Sequence, residues 1–159
     1  MGWDGKQITG LREQKAGSNS ALYEHLLMPN ESVKFEYKSI RDVLILTEVR
    51  LVSIDSQGLT GRKKEYMSVG FHQITAFSIE TAGTFDLDGE FKVWLSGMGL
   101  LEFEFVKGVD IKKLAKFMSG KTLPEIPARK TASEGTASPK TDEDRTPRLN
   151  GGGIFGRQQ

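Results

Sequence analysis

The sequence predicts a mainly β domain: a seven-stranded β-sandwich or partly open barrel, closed by one C-terminal α-helix and preceded by a short N-terminal helix. Three observations carry this reading. Seven short runs between residues 33 and 105 show the apolar patterning of strands, at the even spacing of a sandwich or barrel. Glycine-marked turns such as Gln57-Gly58, Thr60-Gly61 and Gly97-Met98-Gly99 separate several of them. A single stretch of helical period follows, with Ile111, Leu114, Ala115 and Met118 behind the capping residue Asp110.

The elements follow in chain order. Residues 1–19 are polar and glycine-spaced with no sustained period, which reads as a mobile N-terminal segment. Ser20 is placed to cap a short amphipathic helix over residues 21–28, with Leu22, Leu26 and Leu27 facing inward and Pro29 as its stop. Val33, Phe35 and Tyr37 alternate with Lys34, Glu36 and Lys38, the pattern of a half-buried strand. Val43-Leu44-Ile45-Leu46 is apolar on both faces, as a strand covered on both sides must be. A tight turn at Thr47-Glu48 leads into residues 50–55, and strands over residues 65–69, 75–80, 91–95 and 101–105 complete the set.

The helix after Asp110 has Gly120 as its expected C′ residue, and its apolar stripe is expected to cover the open end of the strand barrel. Beyond Lys121 the composition shifts. Four of the five prolines (Pro124, Pro127, Pro139 and Pro147) lie there among serine, threonine and charges. Such a stretch buries too little apolar surface to offset its ordering entropy. The expected organisation is therefore a domain over residues 20–121 and a disordered tail over residues 122–159, with Ile154-Phe155 a frayed terminus.

Composition excludes several functions. The chain has 159 residues with 22 Lys and Arg against 21 Asp and Glu, so no basic excess advertises a nucleic-acid partner. Cysteine is absent, which removes disulfides, thiolate catalysis and zinc–thiolate sites and fits a reducing compartment. No apolar run approaches membrane-spanning length and the N-terminus lacks a signal peptide's apolar centre. The expected location is cytoplasmic, with any membrane contact peripheral.

Motifs that begin like chemistry do not finish as it. Gly97-Met98-Gly99 lacks the third glycine of a dinucleotide fingerprint and lies between two strands, where phosphate cradling needs a helix N-terminus. Asp86-Leu87-Asp88-Gly89-Glu90 lacks the later bidentate glutamate of a calcium loop, since residue 95 is Leu. It reads as a structural turn. His25 and His72 stand on different elements without ligand spacing. Neither a catalytic residue nor a metal or cofactor is expected. One compact basic cluster remains, Arg62-Lys63-Lys64, whose plain reading is a solvated turn partly neutralised by Glu65. With Lys38 and Arg41 it forms the candidate contact for an anionic surface, where each cation contributes about 1 kcal/mol near a charged membrane.

Seven strands closed by one C-terminal helix is the pleckstrin-homology (PH-like) architecture, and the turn sequences resemble one branch of it, the bacterial PH-domain family. The resemblance rests on Leu26-Leu27-x-Pro29-Asn30-Glu31, Arg41-Asp42, Thr47-x-x-Arg50-Leu51 and Asp55-x-Gln57-Gly58-Leu59-Thr60-Gly61-x-Lys63-Lys64-x-Tyr66. It continues through Glu80-Thr81-Ala82-Gly83-Thr84-Phe85-Asp86-Leu87-Asp88, Trp94-Leu95-Ser96-Gly97, Phe105, Lys107-Gly108 and Asp110-Ile111, so that it covers residues 22–119. Gly58, Gly61 and Gly83 sit where turns need positive φ or close approach, and Asp42, Asp86 and Asp88 are short acceptors able to tie loop amides.

The resemblance implies a non-enzymatic interaction module that forms homo-oligomers, in which exposed strand edges find partners, and that binds a protein not identified by the sequence. The alternative is peripheral binding of anionic lipid through the basic hairpin. Phosphoinositide-binding PH domains carry a Lys-x-Arg or Arg-x-Arg step on the second strand of the first hairpin. Here Lys34, Lys38 and Arg41 are followed by Asp42 and apolar residues, a departure from that pattern.

Overall fold

The computed structural model describes residues 5–81 and 89–128. Within them eight strands form one sheet: β1 (Lys6–Gln14), β2 (Val33–Lys38), β3 (Val43–Thr47), β4 (Arg50–Gln57), β5 (Lys63–Gly70), β6 (Ile74–Glu80), β7 (Gly89–Leu95) and β8 (Gly99–Phe105). Their spatial order is β5-β4-β3-β2-β1-β8-β7-β6. Every neighbouring pair is antiparallel except β1 with β8, which run parallel. The seven expected strands are β2 to β8; β1 is an eighth.

The expectation of a mobile segment over residues 1–19 is thus corrected. β1 lies between β2 and β8 and joins the two halves of the sheet. Its side chains Ile8 and Leu11 are both buried in the main core although they stand three residues apart. A register shift between them, with Gly10 at φ 71°, makes this possible. A bulge adds one residue to the alternation, so both side chains reach the same face and the period of two disappears from the sequence. The domain accordingly starts well before residue 20.

The sheet curls around a core built from the inward residues of the strands, including Tyr37, Leu44, Leu51, Phe91, Phe103 and Phe105. Helix α1 (Ile111–Thr122) closes it with Ile111, Leu114 and Met118 buried, and Phe117 packs edge-on against Phe35 and Phe71. Burial of each such large side chain contributes about 1.5–3 kcal/mol. Asp110 caps α1 as expected, its Oδ1 accepting from the Lys113 amide at 3.1 Å. Gly120 is not the C′ residue. The helix passes through it and ends at Thr122, with Leu123 as its C-cap, whose amide donates to the Ser119 carbonyl.

A second, smaller core lies on the outer face of β3 and β4, where Val43, Ile45, Val52 and Ile54 are covered by Tyr23 with Leu22, Leu26 and Leu27 packed around it. This cover makes β3 buried along its whole length, as its unbroken apolar run predicts. The cover is not the expected helix over residues 21–28. It consists of two single 3-10 turns, Ser20–Leu22 and Glu24–Leu26, and no side chain caps either. Tyr23 separates them with φ −141°, because its ring is drawn into the outer core while its hydroxyl reaches a buried carboxylate.

The compact unit spans Met1–Ile126. The second stretch, Pro127–Gln159, lies almost wholly outside the described residues, as do Gly83, Asp86, Asp88 and the expected tail from residue 129 onward.

Candidate functional site

Two turns at one end of the sheet form the candidate site. The first, residues 39–42, joins β2 to β3. Ser39 builds it: its Oγ accepts from the Arg41 and Asp42 amides at 3.3 and 2.9 Å, and its own amide donates to the Asp42 carbonyl. The second, residues 58–62, joins β4 to β5. There Gly58 and Gly61 adopt φ of 77° and 61°, the left-handed conformation expected of them, and the Gly61 amide donates to the Gly58 carbonyl.

Cross-ties fix the turns to each other. The Arg41 guanidinium donates to the Gly58 carbonyl. The Ser56 amide donates to Asp42 Oδ1 at 3.0 Å, and the Ser56 hydroxyl donates to the Arg41 carbonyl at 2.7 Å while accepting from Lys64 Nζ at 3.0 Å. Asp42 therefore ties a loop amide, as its position predicts. Burial pushes its carboxyl above the ordinary range; the Ser56 amide opposes this and the neighbouring Asp55 reinforces it.

Between the turns opens a recess of about 570 Å³, with Lys38, Arg41 and Lys64 in its lining. The structure thus brings together three of the five candidate cations from two hairpins distant in sequence. Arg62 on the second turn and Lys63 at the start of β5 stand exposed and do not line the recess. Glu65 accepts from Gln57 Nε2 at 2.9 Å, so its carboxylate is engaged along the β4–β5 hairpin.

Two residues that the sequence reading passed over share this site. Ile40 is 97% exposed and Leu59 fully so, and both line the recess. The signal was present: each is an aliphatic residue inside a polar turn, where turn chemistry favours small or polar side chains.

The sheet ends are the second feature. β5 and β6 are its terminal strands, each hydrogen-bonded to one neighbour. β5 begins with Lys63 and Lys64, and β6 ends with Glu80. A groove of about 350 Å³ runs beside β6, between Ala76 and Phe77 on the strand and Thr122 and Leu123 at the end of α1. Among the described residues no cluster of three or more His, Asp or Glu is arranged to hold a metal ion, and no helix is long and apolar enough to cross a membrane.

Residues 3–122 match the family profile described as the bacterial PH domain. The chain belongs to that family. It is 40% identical over 107 residues to the uncharacterized protein YjqA of Bacillus subtilis (strain 168), covering 64% of this chain and 86% of the relative. Its fold is similar to the crystal structure of a DUF1696 family protein with a pleckstrin-homology domain from Shewanella loihica PV-4, with TM-score 0.64 and 37% identity over 73% of this chain and all of that one. It is also similar to the pleckstrin homology domain from Shewanella amazonensis SB2B, with TM-score 0.57 and 38% identity over 70% of this chain and 90% of that one. A PH-domain-containing bacterial protein from Exiguobacterium sibiricum 255-15 shares the fold at 23% identity, with TM-score 0.56 over 71% of this chain and 62% of that one. Membership of the family marks the chain as an interaction module of a generally non-catalytic class.

The family signature also acquires a physical meaning. Pro29-Asn30-Glu31 and Thr47-x-x-Arg50 meet at the opposite end of the hairpins from the recess. Asn30 takes the left-handed conformation at φ 66°, turning the chain so that both oxygens of Glu31 accept from Arg50 at 2.8 Å. Arg50 also donates to the Leu26 carbonyl and to Ser68 Oγ. Thr47 Oγ1 accepts from the amides of Val49 and Arg50, closing the β3–β4 turn. These residues hold the fold.

Proposed function

We propose that this chain is a non-enzymatic module that assembles with copies of itself through the two ends of its sheet. The carrying observation is that β5 and β6 end an eight-stranded sheet, each with one backbone edge paired to no other strand among the described residues. Neither strand contains proline. A bare edge is a template for another strand, and soluble proteins either block it or use it.

The charges favour one arrangement. If β5 of one copy lies antiparallel along β6 of the next, Lys63 and Lys64 approach Glu80, and opposite charges facing across strands stabilise the pair. Such contact is head-to-tail. It leads to a ring where the rotation closes and to a filament where it does not. A groove beside β6 leaves space for the incoming strand's side chains.

The test is light scattering after size exclusion on the full chain across a dilution series. A discrete oligomer is expected, weakened by Glu80→Lys and restored when Lys63→Glu is added. A monomer at high concentration overturns the reading; so does an oligomer that neither substitution disturbs.

A further inference from the structure

We propose that the first half of β1, residues 6–10, accepts an extended acidic segment of another protein as an added strand. This does not rest on self-assembly through the sheet ends, because β1 lies in the interior of the strand order.

β1 changes partners along its length. Lys6, Gln7 and Ile8 pair with β8, whereas only Arg12, Glu13 and Gln14 pair with β2. β2 ends at Lys38, opposite Arg12, and the chain then turns away through residues 39–42. Among the described residues no strand continues the line of β2 beside residues 6–10. No backbone hydrogen bond joins that stretch to the 39–42 turn either. An interior strand thus carries a bare edge over its first half, and unpaired backbone amides and carbonyls are a template for an incoming strand. Gly10 keeps the approach open: it forms the bulge at φ 71°, and a Cβ there would meet nothing within 4 Å. Gln7 and Thr9 are exposed beside it.

Charge selects the incoming segment. Arg12 stands directly opposite Lys38, and like charges facing across strands repel. Among the described residues no carboxylate forms an ion pair with either. A recess of about 360 Å³ opens here, lined by Thr9, Gly10 and Arg12 on β1 and by Ser39, Arg41 and Asp42 on the turn. The Asp42 carboxylate is engaged by the Ser56 amide, which leaves the recess cations to an outside acid. A strand that takes the line vacated by β2 runs along residues 6–10 and brings one end to this recess. A carboxylate at that end meets Arg12 and Arg41 in charge-assisted hydrogen bonds and offsets the Arg12–Lys38 repulsion. Backbone pairing then supplies attachment, and the acidic end sets the preference. A membrane surface would satisfy the cations and leave the backbone edge unpaired.

The test selects binders of the full chain from a displayed library of random linear peptides, which are then made synthetically. Acidic, strand-forming sequences are expected, and hydrogen exchange over residues 6–10 should slow when such a peptide is bound. N-methylation of alternate peptide residues should abolish binding in one phase of the alternation and spare it in the other, since only one set of amides faces β1. Arg12→Gln should weaken binding about tenfold, and Arg12→Glu should favour basic peptides. Arg12 is exposed, so an unchanged melting temperature separates lost binding from lost fold. Failure to select any peptide overturns the proposal, as does selection without acidic residues or slowed exchange on β5 or β6 in place of β1. Displacement by millimolar free glutamate would assign the arginines to a small acid and overturn it too. So would protection of residues 6–10 that rises with protein concentration in the absence of peptide, which would give the edge to a second copy.

Discussion

The two ends of the β2–β3–β4–β5 hairpins use similar residues to opposite ends. At one, Arg50 is sunk against Glu31, whose side chain is only 2% exposed, and the pair is wrapped by Leu26, Thr47 and Ser68. At the other, Arg41, Lys38 and Lys64 remain accessible around two aliphatic side chains that point into water. Both ends are cross-tied by arginine. The difference lies in what the tie encloses: a fully satisfied ion pair in the first case, an open recess in the second. A buried pair stabilises only while both partners are present, whereas an exposed tip can change with little effect on folding. The comparison therefore separates residues that hold the domain from residues available for contact.

The largest expected effect follows from breaking the pair. Arg50→Ala leaves the Glu31 carboxylate buried without its cation and should destabilise the fold by about 3–5 kcal/mol in chemical denaturation. The pH profile sharpens the test. Hydrogen bonds from Arg50 hold Glu31 below the usual carboxylate range against the opposing effect of burial. Glu48, about one third exposed, is lowered to about 2 by the Ser32 hydroxyl and the Lys34 ammonium. Groups with depressed folded values contribute stability above their unfolded value near 4.5 and lose it as pH falls through the folded value. The natural chain should thus keep a flat melting temperature from neutrality to about pH 5 and lose it steeply below. Arg50→Ala should show a shallower acid decline, because protonation then relieves Glu31. An equally steep decline would place the acid sensitivity elsewhere.

The next effect concerns Glu36, the other buried carboxylate. It is wholly inaccessible and accepts from the Gly17 amide at 2.8 Å, the Asn19 amide at 2.9 Å, Asn19 Nδ2 at 2.5 Å and the Tyr23 hydroxyl at 2.6 Å. Burial, reinforced by the hydrogen bond to Glu36, pushes the Tyr23 phenol well above its ordinary value. One side chain thereby holds the connection from β1 to the outer core. Glu36→Ala orphans several donors at once and should cost about 3 kcal/mol. Hydrogen exchange supplies the local readout: protection should fall first over residues 15–23 and persist in β7 and β8. Uniform loss across the sheet would contradict a local clamp.

Sequence patterning reached far at the strand-rich end and failed where a local exception intervened. The unbroken apolar run of Val43 to Leu46 announces burial on both faces, and the outer core bears it out. Helix α1 was legible in its period and its Asp110 cap. β1 was not, because the bulge at Gly10 erases the alternation of Ile8 and Leu11. The short N-terminal helix failed for a different reason: Leu22, Leu26 and Leu27 do face inward, but Tyr23 takes a non-helical conformation to satisfy Glu36. In the candidate site, Lys38, Arg41 and Lys64 were legible as cations. Their convergence was not, since it depends on the register of Lys38 with Val43 and of Gln57 with Lys63, which places both turns at one end. Charge and glycine drew attention to those turns, while their apolar apices carried no periodic signal. Glu36 resembled the polar outward residue of a half-buried strand, and only the N-terminal cover folded over it made that position a core.

The smallest expected effect on stability completes the contrast. Ile40→Ser with Leu59→Ser removes two aliphatic side chains, yet neither contributes to either core. The backbone ties of both turns run through Ser39, Arg41, Asp42, Ser56 and Gly58, none of which is altered. The free energy of unfolding should therefore stay within about 0.5 kcal/mol of the natural chain, the range of surface substitutions that touch no special feature. Were the double substitution to cost as much as opening the Arg50 pair, the tip would be part of the fold's support and its side chains would not be free for contact. An unchanged midpoint in denaturant, with an unchanged slope, would instead separate the two ends: one fixed by what it buries, the other available through what it exposes.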